Sequence, residues 1–339
     1  GSATTVAAAI GGECRDFAAA VQGVGGDARS GVTGGVAGGA AAPQGACTAE
    51  SSPYGRPRAG AEEHARMAVS VCIPTYKRHD LLAHCLESVF ASQVRPLDVV
   101  VSDDAHEAAL AARLAALPRP EGVELRYVEN HLGRRQAANV RNAFAHARHE
   151  PVVLMHDDDF FLPGGLDALW RAWQGAGDRV DAVFGRQRVV ADDGTLLAQR
   201  TARWNAKYRR LEPGPVACNL CSALTQQFPM NGMLLRRSLV TLAGVPDEAE
   251  VGHHTDLHFG IRYALAAHRP FLVIAEEVSA YRLSATSIRR SGGVFALDGD
   301  VNYAALERVV PRDDRERRAR RDALDGAAGR AVLSLLARG

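Results

Sequence analysis

The feature that most constrains the fold of this chain is a series of short apolar runs that recur at a nearly constant interval. The runs read VSVCI from Val69, LDVVV from Leu97, ELRYV from Glu124 and PVVLM from Pro151. Their spacing is about 27 residues, close to the ~30 residues of a unit made of a strand, a helix and a second strand. We therefore predict an α/β domain on a parallel sheet, with each run as a buried strand.

The segments between these runs have the period of a helix. DLLAHCLESVF places apolar residues at helical spacing behind Asp80, a residue type that caps helix N-termini. RRQAANVRNAFAHA places Ala137, Val140 and Phe144 on one helical face. These segments are predicted to be the crossover helices that a parallel sheet requires.

Polar residues follow each predicted strand. PTYKR follows the first run, SDD the second, ENHLG the third and HDDD, at 156–159, the fourth. In open α/β sheets, ligands bind beyond the carboxyl ends of the strands, so these groups should meet at one edge. Three adjacent carboxylates between apolar segments are stabilised by a divalent cation, and oxygen ligands suit Mg²⁺ or Mn²⁺ better than zinc. A solvated acidic loop is the alternative.

Composition excludes several classes of protein. The 339 residues allow one large core or two smaller ones. Forty Lys and Arg against 39 Asp and Glu give a formal charge of +1, which argues against a nucleic-acid-coating protein. No run of 18 apolar residues predicts a membrane span. The six cysteines are scattered and no export signal is visible, so we expect a reducing, cytoplasmic compartment.

CNLC, from Cys218 to Cys221, has the spacing of half a zinc site, which His253 and His254 would complete. Structural zinc sites usually contain two such cysteine pairs, and the chain has one. Free thiols beside a loop are therefore the favoured interpretation.

Five segments, in order along the chain, resemble the family 2 glycosyltransferases, which have the GT-A fold. The resemblance covers roughly residues 67–290. It implies a metal-dependent, inverting transfer of a sugar from a nucleoside-diphosphate sugar to a hydroxyl of a small molecule or glycan. A UDP-sugar is the first expectation for the donor, with dTDP- and GDP-sugars as alternatives. The segments are VSVCIPTYKRHDLLAHCLESVFAS, VVVSDDA, HDDDFFLPGGL, FPMNGMLLRRSLVTLAGVPDE and HTDLHFGIRYALAAHRP.

The resemblance implies a set of residues around the nucleotide. Tyr76 is expected to stack near the base, Asp103 to read a uracil edge and Asp104 to cap the next helix. Arginines after the third strand are expected to meet the diphosphate, although a solvated helix face is an equal alternative for each. The residues concerned are Pro74, Thr75, Tyr76, Arg78, Asp103, Asp104, Arg134, Arg135, Arg141 and Asp157.

The resemblance also implies a metal site and a general base. Asp158 is expected to be the principal ligand of Mg²⁺ or Mn²⁺, with Asp159 and His156 beside it. Asp256 is expected to start a helix and to deprotonate the acceptor, because the field of a helix N-terminus keeps an aspartate ionised. A capping role is the alternative for Asp256. The acceptor side is expected to include Asn231, Gly232 and Thr255.

The same resemblance divides the chain into regions. Residues 1–66 are rich in Gly, Ala, Ser and Thr and are expected to be a flexible segment. The catalytic domain is expected at 67–290, with a nucleotide-binding half at 67–165 and an acceptor half at 166–290. Residues 291–339 are expected to be a helical tail. Packing of this tail on its own domain is favoured, and contact with a membrane surface or a second copy is the alternative.

Several positions depart from the family pattern. His156 and Thr255 stand where the family often has acidic residues, Ala138 where it often has arginine and Ser284 where it often has histidine. These departures leave open a non-catalytic module that binds nucleotide-sugars. A nucleotidyltransferase of related fold is a second alternative, although the loop PTYKRHD lacks the glycines typical of that class.

Overall fold

The computed structural model describes residues 69–283 and 298–338. The expected flexible segment at 1–66 and the position of Ser284 lie outside the described residues. The described strands are β1 (Val69–Thr75), β2 (Leu97–Asp103), β3 (Val123–Glu129), β4 (Pro151–Leu154), β5 (Phe160–Phe161), β6 (Ala182–Val190), β7 (Gly214–Pro215), β8 (Leu234–Arg236) and β9 (Phe271–Arg282).

Helices alternate with these strands through the first half of the fold and then become more frequent. The described helices are α1 (His79–Phe90), α2 (Ala108–Ala116), α3 (Gln136–Ala145), α4 (Gly165–Ala176), α5 (Ala198–Tyr208), α6 (Asn219–Leu224), α7 (Arg237–Ala243), α8 (Glu248–Val251), α9 (Thr255–Ala266), α10 (Gly299–Glu307) and α11 (Asp314–Arg338).

The first four strands form the predicted parallel sheet, in the order β3-β2-β1-β4. Val71 of β1 lies beside Val99 of β2 and Val153 of β4. Every residue of β1 and β2 is buried, as expected for strands that are covered on both faces. The carboxyl ends of these four strands therefore meet at one edge, as the sequence predicted.

The second half of the sheet contains both parallel and antiparallel strand pairs, an arrangement that the apolar runs did not predict. The strand β8 lies antiparallel between β4 and β6, and β6 runs parallel to β9, while β5 and β7 lie antiparallel to β9. Gly165, at the start of α4, allows this helix to approach β9 closely, because an added Cβ would lie 2.0 Å from the Val278 carbonyl oxygen. The architecture is a mostly parallel α/β sheet with helices on both faces.

Two apolar clusters cover the two faces of the sheet. One contains Phe184, Phe259 and Tyr263 with α3, α6 and α9, and the other contains Trp173 and Leu86 with α1 and α4. Of these helices, α1, α3 and α9 form as predicted, with one correction at α1. The helix begins at His79 and Asp80 lies inside its first turn without capping it, because the Arg78 carbonyl already accepts the Leu82 N–H at 2.9 Å.

The C-terminal helix α11 packs on its own domain, as favoured from the sequence. Ala327 and Ala331 are buried, and the Ser334 hydroxyl donates to Asp300 of α10 at 2.6 Å. Four apolar side chains near the end of this helix, Val332, Leu333, Leu335 and Leu336, are at least half exposed. Contact of this surface with a membrane or a second copy stays a prediction. None of the described helices combines the length and the apolar character needed to cross a bilayer.

Cys218 and Cys221 form a disulfide, which corrects the expectation of free thiols. Cys218 immediately precedes α6 and Cys221 lies in its first turn, so helical geometry brings their Cα atoms within 5.3 Å. Bonded sulfurs do not ligate zinc, and His253 is hydrogen-bonded to Asp298 instead. The disulfide also removes one of the grounds for expecting a reducing compartment.

Candidate active site

The sequence HDDD forms a tight turn directly after β4, at the edge where the parallel strands end. The Asp159 N–H donates to the His156 carbonyl at 3.1 Å, which closes the turn. Asp157 and Asp159 are buried, and the side chain of Asp158 is 15% exposed. We call His156, Asp157, Asp158 and Asp159 the acidic cluster. Three buried carboxylates in one turn need opposing charges or donors to be stable.

Arg78, which follows β1, supplies the positive charge closest to this cluster. One of its guanidinium nitrogens lies 3.2 Å from Asp157 Oδ1 and 2.8 Å from Asp158 Oδ2. The Thr75 hydroxyl donates to the other oxygen of Asp157 at 2.8 Å. Burial lowers the pKa of Arg78, but the two carboxylates outweigh it and the pKa is raised overall. The guanidinium of Arg78 therefore occupies the position at which the acidic cluster attracts positive charge.

Asp159 is held from the opposite side by the second half of the fold. Its carboxylate accepts from the side-chain amide of Asn231 and, at 2.7 Å, from the backbone N–H of Arg282. The Arg282 guanidinium also donates to the Asp158 carbonyl at 2.9 Å. Burial, followed by the neighbouring Asp158, raises the pKa of Asp159. The turn is thus fixed between the end of β1 and the end of β9.

The donor set of the acidic cluster fits a divalent metal ion. His156, Asp158 and Asp159 each offer a ligand atom, and these atoms lie within 4.8 Å of one another. Arg78 on Asp158 is a stand-in cation, which shows that the site stabilises positive charge. Carboxylate oxygens are ligands of Mg²⁺ and Mn²⁺, and an imidazole nitrogen is tolerated better by Mn²⁺.

A second group of metal-capable side chains lies at the ends of β2 and β3, in the described part of the chain. His106, Glu129 and His131 also place ligand atoms within 4.8 Å of one another, but all three residues are exposed. The Nε2 atom of His106 is 2.6 Å from the Asn130 carbonyl oxygen. We use this exposed group below as a control for the acidic cluster.

The predicted nucleoside residues of the first loop divide into buried and exposed ones. Pro74 and Thr75 are buried inside β1, with Pro74 opposite Ser102 of β2. The side chain of Tyr76 is 55% exposed, and the Lys77 ammonium lies 5.5 Å from the centre of its ring. Tyr76 does not pack into the core, so its ring is accessible to a ligand.

The structure gives Asp103 and Asp104 environments that differ from those expected for a base reader and a helix cap. Asp103 is 0% exposed, and its carboxylate accepts from the backbone N–H groups of Ala105 and Glu107, both at 2.8 Å, and from the Tyr127 hydroxyl at 3.0 Å. It therefore holds the turn before α2 and is closed to ligand. Burial, followed by the bond to Asp103, raises the pKa of Tyr127.

Asp104 is the partly exposed member of this pair. It accepts from the Asn130 side-chain amide at 2.7 Å and from the Arg135 backbone N–H at 3.1 Å. A carboxylate has about four acceptor sites, so Asp104 retains capacity for a further donor. Of the two aspartates, Asp104 is the one that a nucleobase can reach.

The three arginines predicted near the diphosphate occupy different environments. Arg134 is exposed, and Arg135 adopts a positive φ of 82° at the start of α3. Arg141 donates to the Val245 carbonyl at 3.3 Å and pairs with Asp247 at 3.2 Å. A diphosphate would have to displace this ion pair, which counts against Arg141 as its ligand.

The predicted acceptor segment reaches the acidic cluster through Asn231 and Gly232. The Asn231 side chain accepts from the His156 backbone N–H at 2.8 Å while its amide donates to Asp159. Gly232 has a φ of +72°, and an added Cβ would lie 2.6 Å from the Ser279 hydroxyl oxygen. These two residues brace the metal-capable turn, a role that the sequence did not indicate.

Asp256 lies in the first turn of α9 and is exposed. Its carboxylate makes no ion pair or side-chain hydrogen bond within the described residues, and Thr255 beside it is buried. Neither side chain caps the helix, so the capping alternative is wrong. Residues 267–270 join α9 to β9.

Three polar residues of this region had no role in the sequence prediction. Arg282 ends β9 on the acidic cluster, and Gln187 and Arg209 extend the polar network behind Asn231. Arg282 lies two residues before Ser284, the position where the family often has histidine. Gln187 and Arg209 carry no motif, and only the folded chain brings them together.

Comparisons with known proteins agree with this fold. Residues 70–232 match the sequence profile of Glycosyl transferase family 2. The Mycobacterium tuberculosis protein MT1568, which is uncharacterised, is 32% identical over 147 residues, covering 43% of this chain and 44% of that protein. The uncharacterised glycosyltransferase YwdF of Bacillus subtilis is 29% identical over 104 residues, covering 30% and 37%. The chain thus spans less than half the length of these curated relatives.

Two solved structures share the fold at low sequence identity. Residues 1–349 of TarS from S. aureus in complex with UDP-GlcNAc have a TM-score of 0.56 at 16% identity, covering 78% of this chain and 72% of that one. The mannosyltransferase PcManGT from Pyrobaculum calidifontis, in complex with GDP-Man and Mn²⁺, has a TM-score of 0.54 at 19% identity, covering 82% and 81%. Together with the profile match, they identify a GT-A fold. Residues 70–232 of this chain are therefore similar to Glycosyl transferase family 2, and the chain has the fold of the two solved glycosyltransferases.

Proposed function

We propose that this protein is an enzyme, a metal-dependent, inverting glycosyltransferase that moves a sugar from a nucleoside-diphosphate sugar to an acceptor hydroxyl. The observation that carries the proposal is the acidic cluster, gathered with Arg78 at the edge where β1 and β4 end. UDP-sugar is the proposed donor, with dTDP- and GDP-sugars as alternatives. Support comes from the neighbours of the same fold, one in complex with UDP-GlcNAc and one with GDP-Man and Mn²⁺.

The acidic cluster is proposed to hold Mg²⁺ or Mn²⁺ through Asp158, Asp159 and His156. Such an ion, when bound, neutralises the charge that develops on the departing diphosphate. Arg78 already contacts Asp157 and Asp158 and is placed to donate to phosphate oxygens, since guanidinium matches phosphate geometry. Asp157, buried and bonded to Thr75, fixes Arg78 for this contact.

Asp256 is proposed to be the general base. The acceptor hydroxyl oxygen forms a bond to the anomeric carbon while the bond from this carbon to the diphosphate oxygen breaks, and the hydroxyl proton passes to Asp256. Attack opposite the leaving group inverts the configuration at the anomeric carbon. The exposed and unpaired state of Asp256 within the described residues supports this role, because a base must be accessible to the acceptor.

The nucleoside is proposed to lie between Tyr76 and Asp104. The exposed ring of Tyr76 offers a stacking surface. Asp104 replaces Asp103 as the proposed reader of the base, since Asp103 is closed by its own hydrogen bonds. The catalytic domain is proposed to span residues 67–290 and the tail 291–339, and a cytoplasmic location remains a prediction.

The test is release of the nucleoside diphosphate from a panel of UDP-, dTDP- and GDP-sugars with Mn²⁺ by the wild type and by Asp256→Asn. We expect release by the wild type and a loss of at least 10²-fold in the variant, as for a missing general base. Asp325→Asn, in an exposed position of α11, is the matched control and should keep full activity.

The two alternatives give different results in the same assay. A nucleotidyltransferase would release pyrophosphate from a nucleoside triphosphate and no nucleoside diphosphate from the sugar donors. A binding module would bind the donors with no release by any variant. Either result would overturn the proposed reaction.

A further inference from the structure

A second polar depression lies beside β6, away from the strand ends that hold the acidic cluster. It is a groove of about 650 Å³ between β6 and α5, with β9 along one side. Four arginines line it, two from β6 and two directly after α5. We call it the arginine groove, and its charged lining residues are Arg186, Arg188, Arg209, Arg210, Glu212 and Glu277.

Arg209 is the most unusual residue of the arginine groove, because it is a buried cation without a counter-ion. It is 7% exposed and donates to the carbonyls of Tyr208 and Gln226 and to the side-chain oxygen of Gln187. Its Nε atom has no hydrogen-bond partner among the described residues, and no described carboxylate pairs with its guanidinium. Burial lowers the pKa of Arg209 to about 9. A buried charge of this kind is costly unless a ligand compensates it.

The other charges of the groove do not compensate Arg209. Arg188 pairs with Glu277 at 2.7 Å, so these two residues neutralise each other. Arg186 and Arg210 form no ion pair within residues 69–283 and 298–338, and neither does Glu212. Three guanidinium groups therefore face one groove against a single remaining carboxylate, and the groove has an excess of positive charge.

A chain of hydrogen bonds connects the arginine groove to the acidic cluster. Arg209 donates to Gln187 at 2.7 Å, and Gln187 donates to the Asn231 carbonyl at 3.3 Å and to the Ser279 hydroxyl at 3.1 Å. Asn231 in turn donates to Asp159 of the acidic cluster. The groove is thus linked to Asn231, the residue that braces the site.

We propose that the arginine groove binds an oxyanion, a phosphate or a carboxylate, that belongs to the acceptor. Guanidinium groups bind both anions in the same forked geometry. The assignment of the anion to the acceptor rests on the proposed function, whereas anion binding itself does not. The donor diphosphate has its own partners at the acidic cluster, Arg78 and the proposed metal ion, so the groove is left for the second substrate.

The test is titration of the full chain with inorganic phosphate and, separately, with acetate, followed by NMR or calorimetry. The double variant Arg186→Gln/Arg210→Gln removes two cations from positions that are not buried, so it should fold as the wild type does. We expect its dissociation constant for the preferred anion to rise about tenfold or more, because hydrogen bonds to charged groups are lost. Arg203→Gln, an exposed arginine of α5 outside the groove, should leave this constant unchanged.

The same titration with saturating UDP and Mg²⁺ distinguishes the acceptor from the donor. The proposal expects the anion to bind equally well with and without UDP, and UDP affinity to be equal in the wild type and the double variant. Absence of anion binding by the wild type, or unchanged binding by the double variant, would overturn the groove as an anion site. Competition between the anion and UDP would overturn its assignment to the acceptor. None of these results depends on turnover, so a failure of the proposed reaction is seen separately with Asp256→Asn.

Discussion

The acidic cluster and Arg209 of the arginine groove are both charged and largely buried, but of the two only the acidic cluster has a counter-charge among the described residues. Asp157 and Asp158 pair with Arg78, whereas Arg209 has no described carboxylate partner. The first region is stable without ligand because Arg78 stands in for a cation. In the arginine groove, the charge of Arg209 is balanced by no carboxylate of the described residues. The comparison teaches that unpaired buried charge, more than charge itself, indicates where a further ligand binds.

Asp158→Asn tests the acidic side of the comparison and should have the largest effect. The substitution removes the carboxylate that is least buried within the cluster and most available to a metal ion. We expect nucleoside diphosphate release to fall by about 10²–10³-fold, the usual cost of losing one group that stabilises developing charge. Initial rates with saturating Mn²⁺ measure the effect. A parallel His131→Ala variant in the exposed second metal-capable group should behave as the wild type, and equal losses in both would refute the assignment.

Arg78→Met tests whether the internal counter-charge stabilises the cluster. Removing one partner leaves Asp157 and Asp158 uncompensated, and we expect a loss of about 2–3 kcal/mol in the free energy of unfolding, reduced from the value for fully buried pairs because Arg78 is partly exposed. Denaturant unfolding without metal gives this value. Mn²⁺ should then raise the melting temperature of the variant more than that of the wild type, and an equal rise in both proteins would contradict the stand-in role.

The neutral, buried His258 gives a reference outside both charged regions. His258 is 4% exposed, and burial lowers its pKa from 6.5 to about 4. The hydrogen bond between its ring and Asn302 opposes this shift. Charges on His254, Arg262 and Arg308 lower the pKa further. Because the unfolded state binds the proton first, stability is present above pH 6.5 and is lost as pH falls toward 4. Between pH 7 and 4.5 this residue should contribute about 2 kcal/mol of the loss.

The measurement for His258 is the difference in unfolding free energy between pH 7 and pH 4.5, for the wild type and for His258→Asn. The difference should be about 2 kcal/mol smaller in the variant. Identical pH dependence in both proteins would show that this histidine does not titrate as described.

Arg209→Met should have the smallest effect, which sharpens the contrast with Arg78. The substitution removes a buried positive charge that no carboxylate of the described residues balances. This gain offsets the loss of the hydrogen bonds to Gln187 and to two carbonyls. We expect the free energy of unfolding to change by about 1 kcal/mol or less, measured as for Arg78→Met. A loss larger than that of Arg78→Met would mean that Arg209 is a structural residue whose charge is already compensated.

Much of the fold followed from local patterns. The four apolar runs became β1 to β4 in parallel order, and the helix that contains Ala137, Val140 and Phe144 formed where its period indicated. The antiparallel insertion of β8 did not follow, because the three residues of this strand carry no period of their own.

The candidate site was predictable in its motif and less so in its details. The HDDD turn lies at the predicted sheet edge, but Asp103, the predicted base reader, is fully buried and holds a turn, and Asp104 is the more exposed of the pair. Of two adjacent residues at the end of a strand, one is buried and the other is more exposed. The conformation of the turn that follows determines which of the two is buried. The bond between Cys218 and Cys221 likewise depended on where α6 begins.

The sequence alone determined where acids follow apolar runs, since hydrophobic periodicity and turn composition act over a few neighbouring residues. Only the tertiary structure decided which of those acids are paired. Asn231 reaches Asp159 across 72 positions of the chain, and Arg282 reaches Asp158 across 124. Arg209, by contrast, is left without a carboxylate among the described residues. Pairing of buried charges depends on such distant contacts, and no local pattern specifies them.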